Sequence, residues 1–227
     1  MSMLKKMPLA LKLICQRWSE AMLDLKDEQD RMQYVQLELP ALLHQRDIFV
    51  ELLGNIASGQ PYPDTRQAQL FDDEILLYLN TKPIFSIRMF IYEPGVYTPI
   101  HDHNSWGVTG AALGKIGVIK YVREDDGSKP GYARLLKSET LTLEGSQTDL
   151  ALPLNQGIHQ TGNPENETSI MVSVYGRPIR QVYIHRFDFE NQTVQRMYPP
   201  RIKKRMLAVR ALDMIEKLPA PTSSVEK

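Results

Sequence analysis

Apolar residues along this chain change their spacing twice. Between residues 7 and 58, Leu9, Leu11, Leu13, Ile14, Trp18, Met22 and Leu25 recur at helix-like intervals, and Ile48, Val50, Leu52, Leu53 and Ile56 do so again. Gly59 and the run Pro61, Tyr62, Pro63, Asp64 break that pattern. From about Ile75 the texture turns to short runs rich in β-branched and aromatic residues, divided by turn signals. Such runs fall at 84–92, 111–122, 133–136, 139–143, 149–152, 169–175 and 181–189. Glu93, Pro94 and Gly95 end the first run, and Gly114 and Gly117 interrupt the second. Many short strands with regular turns predict a β-sandwich or barrel. After Pro199 and Pro200 a helical stripe returns through Ile202, Met206, Val209, Leu212 and Ile215, with Lys203, Lys204, Arg205 and Arg210 on its solvated face. The expected order is a helical head over about 7–58, a β-barrel over about 75–190, a helix over about 200–217 and a disordered tail from Pro219. Together they make one mainly β domain, with no internal repeat.

Charge excludes some partners. Lys plus Arg and Asp plus Glu both total 27, so the formal net charge is zero, and no global pull toward nucleic acid or anionic lipid follows. No apolar run approaches a membrane span. With Cys15 as the one cysteine, no intramolecular disulfide can form, which fits a reducing, cytoplasmic setting. Lys12 and Arg17 interrupt the apolar stretch near the N-terminus, so a signal peptide is not expected.

Three of the five histidines occupy turn-flanked positions in the β region. In His101-Asp102-His103 the two imidazoles leave the same face of an extended segment, so both can reach one metal ion. His159, behind Gly157 and Ile158, sits on a later strand that a closed barrel would bring alongside. Two other histidines carry less weight. His44 is expected to face solvent, and His185, in a strand beside Arg186, reads as structural. Trp106, directly after the His-x-His turn, is expected to wall the site.

At these residues the chain resembles the cupin superfamily. The first cupin motif is a glycine, five residues, His-x-His, three or four residues, a glutamate, then six residues and a glycine. Gly95, His101, His103 and Gly114 fit it, while Gly107 stands where the glutamate would be. Pro153, Gly157, His159 and Asn163 fit the second motif, with a longer proline-to-glycine interval. The resemblance covers roughly 84–190 and implies a double-stranded β-helix barrel. Most metal-binding cupins keep that glutamate. The thiol dioxygenases, which act on cysteine or 3-mercaptopropionate, bind iron through three histidines instead. The stretch 98–107 is similar to theirs, closest to the mercaptopropionate branch, as are 157–160 and 174–176. The cysteine that mammalian-type cysteine dioxygenases cross-link to a tyrosine is replaced by Val108, so that cross-link cannot form.

The resemblance implies Fe(2+), or another divalent metal such as Zn, Mn or Ni, on His101, His103 and His159. Its substrates would be a small-molecule thiol, expected to carry a carboxylate, and O2. Three neutral imidazoles leave the ion its full charge and keep the opposite positions open, which favours a bound thiolate. Tyr175 would take a catalytic role, and Arg88, Arg180 and Tyr92 would bind substrate. Strand alternation puts Arg88 on one face with Ser86, Phe90 and Tyr92, and Arg177 and Arg180 follow Tyr175. The family's Ser-x-His-x-Tyr relay is incomplete, because Met171 and Ser173 stand at its first two positions. The alternatives are a metal-dependent cupin isomerase or lyase using the ion as a Lewis acid, and a non-catalytic metal or small-ligand binder.

Overall fold

A computed structural model describes residues 7–64, 70–71, 73–80, 82, 84–179 and 183–217. The head is three helices: α1 (Leu9–Asp24), α2 (Glu28–Leu43) and α3 (Arg46–Ala57). Asp27 caps α2 by accepting the Asp30 amide at 2.7 Å. Arg31 then reaches back to close α1, donating to the carbonyls of Met22 at 3.1 Å and Leu25 at 2.7 Å.

Eleven strands follow among the described residues. They are β1 (Glu74–Leu79), β2 (Phe85–Tyr92), β3 (Ile100–His101), β4 (Gly107–Leu113), β5 (Ile116–Arg123) and β6 (Leu135–Leu143), then β7 (Thr148–Ala151), β8 (His159–Gly162), β9 (Ser169–Gly176), β10 (Ile184–Asp188) and β11 (Thr193–Met197). One antiparallel sheet runs β1-β2-β9-β4-β7 and the other β11-β10-β3-β8-β5-β6. Removing the edge additions β1, β10 and β11 leaves two four-stranded sheets in jelly-roll order, the double-stranded β-helix arrangement. The expected mainly β barrel with helices at both ends is therefore present.

Sheet one is covered on both faces, which explains why 84–92 and 169–175 read as nearly unbroken apolar runs. Phe85, Ile87 and Met89 of β2, with Val172 and Val174 of β9, face the helices and share a core with Trp18, Leu39 and Leu52. The alternate residues turn inward, where Phe90, Tyr92 and Met171 join Ile116 and Val118 in a second core. Arg88, Ser173 and Tyr175 lie on that same inward face, so the polar interruptions of these strands mark the barrel interior.

Several boundaries differ from expectation, for identifiable reasons. The run 111–122 is two strands, because Gly114 takes a positive φ of 65° and turns the chain between them. Conversely, the second half of 133–136 and the run 139–143 belong to one strand, β6; the polar break at Lys137 and Ser138 is a register shift opposite Lys120 and Tyr121. β3 has two residues and β8 four, too few to show a period. The helix α4 (Pro200–Glu216) forms as expected, but it buries no residue: only Ile202 and Met206 are partly covered. Gln181 and the tail from residue 218 lie outside the described residues. No described helix is long and apolar enough to cross a membrane.

Head and barrel meet at Trp106, whose indole Nε1 donates to Glu28 Oε2 at 2.7 Å. The ring lies so close over Gly176 that a Cβ there would collide with it. Gly176→Ala should therefore destabilise the fold by about 1–3 kcal/mol, the usual cost of overpacking. An unchanged denaturation midpoint would show that the ring yields without loss.

Candidate metal centre

Local structure, not chance proximity, brings the three histidines together. His101 and His159 are register partners across β3 and β8. His103 follows in the turn toward β4, held by its carbonyl, which accepts the Leu154 amide at 2.7 Å. Leu154 reaches it from a left-handed conformation, φ 59°, uncommon for a branched side chain and frequent at functional sites. Gly157, just before His159, has no space for a Cβ because the Leu152 carbonyl fills it. Asn163 closes the same hairpin, donating to the Glu167 carbonyl at 2.6 Å and accepting the Gly95 amide at 3.1 Å through its own carbonyl. The glycine, histidine and asparagine positions read from the sequence thus each have a structural task.

His101, His103 and His159 are all buried, and their ligand nitrogens lie within 4.8 Å of one another. The Nε2 atoms of His103 and His159 are 2.9 Å apart. Two imidazole nitrogens bound at right angles to one ion, each at about 2.1 Å, stand about 3.0 Å apart. His101 directs its Nδ1 at the Pro99 carbonyl, 2.8 Å away, so Nδ1 carries the proton and the Nε2 lone pair is left for a metal. Burial pushes the His101 pKa down to about 4, partly offset by the Pro99 carbonyl and Asp102. Burial also holds His103 and His159 well below the usual imidazole value, reinforced for His103 by His159, His101 and Arg88 and for His159 by His101 and Lys120. All three are therefore neutral donors at neutral pH. The donor set fits a divalent transition metal and leaves one side open.

That side opens on a cavity of about 360 Å³, lined by His101, His103, Arg88, Glu74, Tyr175 and Phe90 among others. Tyr175 lies nearly parallel to the His103 ring, with centroids 5.4 Å apart. Burial raises its pKa, opposed by Arg88 and by Ser173, so it is a protonated phenol. The Arg88 guanidinium stands 5.5 Å from the centre of that ring. Arg88 is ion-paired with Glu74 of β1, a buried carboxylate that also accepts the amides of Leu70 and Phe71 at 2.8 and 3.4 Å. Ser173 and Thr109 pair their hydroxyls at 2.6 Å on the inward face.

Other expected site residues take different places. Tyr92 shares the inward face of β2 but lies off the cavity wall; its hydroxyl is 3.2 Å from Thr161 Oγ1 and its ring stacks on Phe90. Trp106 is packed against Gly176 and bonded to Glu28, and does not line the cavity. Arg177 is exposed, and Arg180 lies outside the described residues. His44 is exposed, with Nδ1 on the Pro40 carbonyl at 2.6 Å.

Two site residues escape a reading of the sequence. Asp102 points away from its histidine neighbours and binds His185 twice, accepting from the backbone amide at 2.6 Å and lying 2.7 Å from Nδ1, which fastens β10 to the ligand turn. The alternation that pairs His101 with His103 also predicts this opposite orientation. Glu74 gives no such signal, because only the pairing of β1 with β2, Leu76 opposite Arg88, brings it near the site.

No family model matches the chain. Among solved structures it is similar to the Cupin_2 domain of an XRE-family transcriptional regulator from Enterobacter cloacae, at 16% identity and TM-score 0.34, covering 46% of this chain and 95% of that one. TT1209 from Thermus thermophilus gives 17% and 0.35, covering 50% and 93%. Oxalate decarboxylase from Lactobacillus farciminis gives 15% and 0.36, covering 66% of this chain but only 40% of the decarboxylase. Likenesses this distant say nothing of activity, substrate or metal. The barrel assignment rests on the strand order itself.

Two outcomes follow. Purified protein should carry close to one transition metal per chain, and His159→Ala, assayed by metal analysis, should lose most of it; full retention would remove His159 from the ligand set. In metal-free protein the folded imidazoles bind fewer protons than the unfolded ones near pH 6.5. Stability should therefore be full above that value and fall as pH drops toward about 4, by up to about 1.4 kcal/mol per imidazole per pH unit. A pH slope no steeper than that of His159→Gln would contradict the neutral triad.

Proposed function

We propose that the protein is an iron(II)-dependent thiol dioxygenase, converting R–SH and O2 to the sulfinic acid R–SO2H. The observation that supports this reading best is the ligand set: three buried neutral imidazoles, with Gly107 where a carboxylate ligand would otherwise stand. Iron(II), when bound, would supply a centre at which a thiolate and O2 can be held side by side.

The chain's own residues do the rest. Neutral ligands add no negative charge, so the site favours the thiolate over the thiol. Phe71, whose ring lies 4.9 Å from that of His101, and Phe90 give the cavity an apolar wall beside the ligands. Tyr175 offers a protonated phenol on the cavity wall, fixed by its stacking on His103. Its task is to donate a hydrogen bond to charge that develops on the reacting atoms. Arg88 lies beside it with its charge already engaged by Glu74.

Iron-loaded protein should consume O2 with at least one member of a panel of small thiols, and both oxygens of the sulfinate should come from O2. If no thiol gives uptake while zinc or manganese supports turnover of another substrate, Lewis-acid chemistry replaces this reading. Tyr175→Phe should lower turnover by at least about tenfold, the cost of one hydrogen bond of roughly 1.4 kcal/mol, with metal content unchanged. Unchanged turnover would remove Tyr175 from the chemistry.

A further inference from the structure

Arginine on the wall of a thiol-binding cavity is the natural anchor for a substrate carboxylate, and Arg88 stands on that wall. The cavity, however, brings its own carboxylate. Glu74 is 1% exposed, pairs with the Arg88 guanidinium and is itself a lining residue. The backbone amides of Leu70 and Phe71 hold Glu74 in place, so it is not a loose surface side chain that an incoming anion could push aside. A ligand carboxylate reaching Arg88 would meet Glu74 across the same guanidinium. In this poorly solvated interior the like-charge repulsion offsets what Arg88 offers. Among the described residues most of the remaining wall is apolar, with Leu70, Leu79, Phe85, Pro178, Ile184 and Ile202 around the approach to the histidines, and Ser86, Asn104, Ser105 and Tyr183 add uncharged polar groups. At about 360 Å³ the space also falls in the range of roughly 300–1,000 Å³ that takes ligands with a sizeable body.

We infer that Glu74 is a specificity-determining residue: by occupying Arg88 it makes this a pocket for thiols with an uncharged, largely apolar body, and against carboxylated thiols. The inference rests on the thiol dioxygenase reading for the word thiol, but not for the charge preference, which follows from the buried Glu74–Arg88 pair on the cavity wall. Its test accordingly uses ligands without sulfur and a readout other than turnover. The neutral part of the ligand packs against the phenylalanine and leucine side chains. A polar uncharged group, such as an amide, can donate to Glu74 and accept from Arg88 without bringing net charge.

Calorimetric titration of the full-length protein as purified, under argon, with 3-phenylpropanamide and with 3-phenylpropanoate decides the matter. The amide should bind at least tenfold more tightly than the carboxylate. Any contact of the carboxylate with a bound metal works against that ratio, so the expected result is a conservative one. Glu74→Gln keeps the shape of the side chain and removes its charge, and should shift the ratio at least tenfold toward the carboxylate. The double variant Glu74→Gln with Arg88→Met, which leaves neither charge buried alone, should return the preference to the amide. Carboxylate binding in the wild type as tight as that of the amide overturns the inference, whether or not the single variant folds. So does a Glu74→Gln protein that binds the amide normally and gains nothing for the carboxylate. A clear amide preference combined with no oxygen uptake from any thiol would leave Glu74's role standing and sink the dioxygenase reading instead.

Discussion

Everything at this centre depends on three uncharged, buried imidazoles converging on one point beside the cavity. Desolvation keeps His101, His103 and His159 neutral, and each neutral imidazole has one ring nitrogen with a lone pair to offer a metal. Lone pairs converging on one point repel unless a cation sits between them. The backbone around them is correspondingly specialised. Leu154 is held at a positive φ to anchor the His103 carbonyl, and Gly157 admits no side chain. Asp102 fastens the ligand turn to β10 through His185.

The same constraint explains the two-sided character of sheet one. Its outer face is buried by the helical head, with Trp106 and Glu28 as the tie between them. Its inner face carries the polar residues that a site needs. β2 and β9 must therefore be apolar toward the helices and selectively polar toward the barrel, and Arg88, Ser173 and Tyr175 are the polar exceptions. The hydroxyl pair Ser173–Thr109 satisfies two of the buried polar groups on that face.

How much of this was legible in the sequence follows from the range over which each signal acts. His101 and His103 are two residues apart, so local alternation alone makes them neighbours. His159 was readable because glycine and proline punctuate the motif around it. The long strands β2 and β9 declared themselves by composition, whereas β3 and β8 are too short for any period and were recognisable only by the histidines they carry. The bulge in β6 looked like a turn because a break in alternation is the same in either case. Tyr92 lies on the face that alternation gives it but off the cavity wall, since alternation fixes a face and not the distance along the barrel. Glu74 was invisible for a third reason: its meeting with Arg88 depends on an edge strand whose pairing has no local signature. The unburied stripe of α4 is a difference of another kind, since periodicity promises an apolar face and not a partner to cover it.

The central claim, that one transition metal is held by three imidazoles and no protein carboxylate, is tested most directly by X-ray absorption spectroscopy of the protein as purified. The account predicts a first shell of nitrogen and oxygen at about 2.0–2.2 Å, with the outer-shell scattering of three histidine rings. A shell with one imidazole or none, or one dominated by carboxylate oxygen, would contradict it.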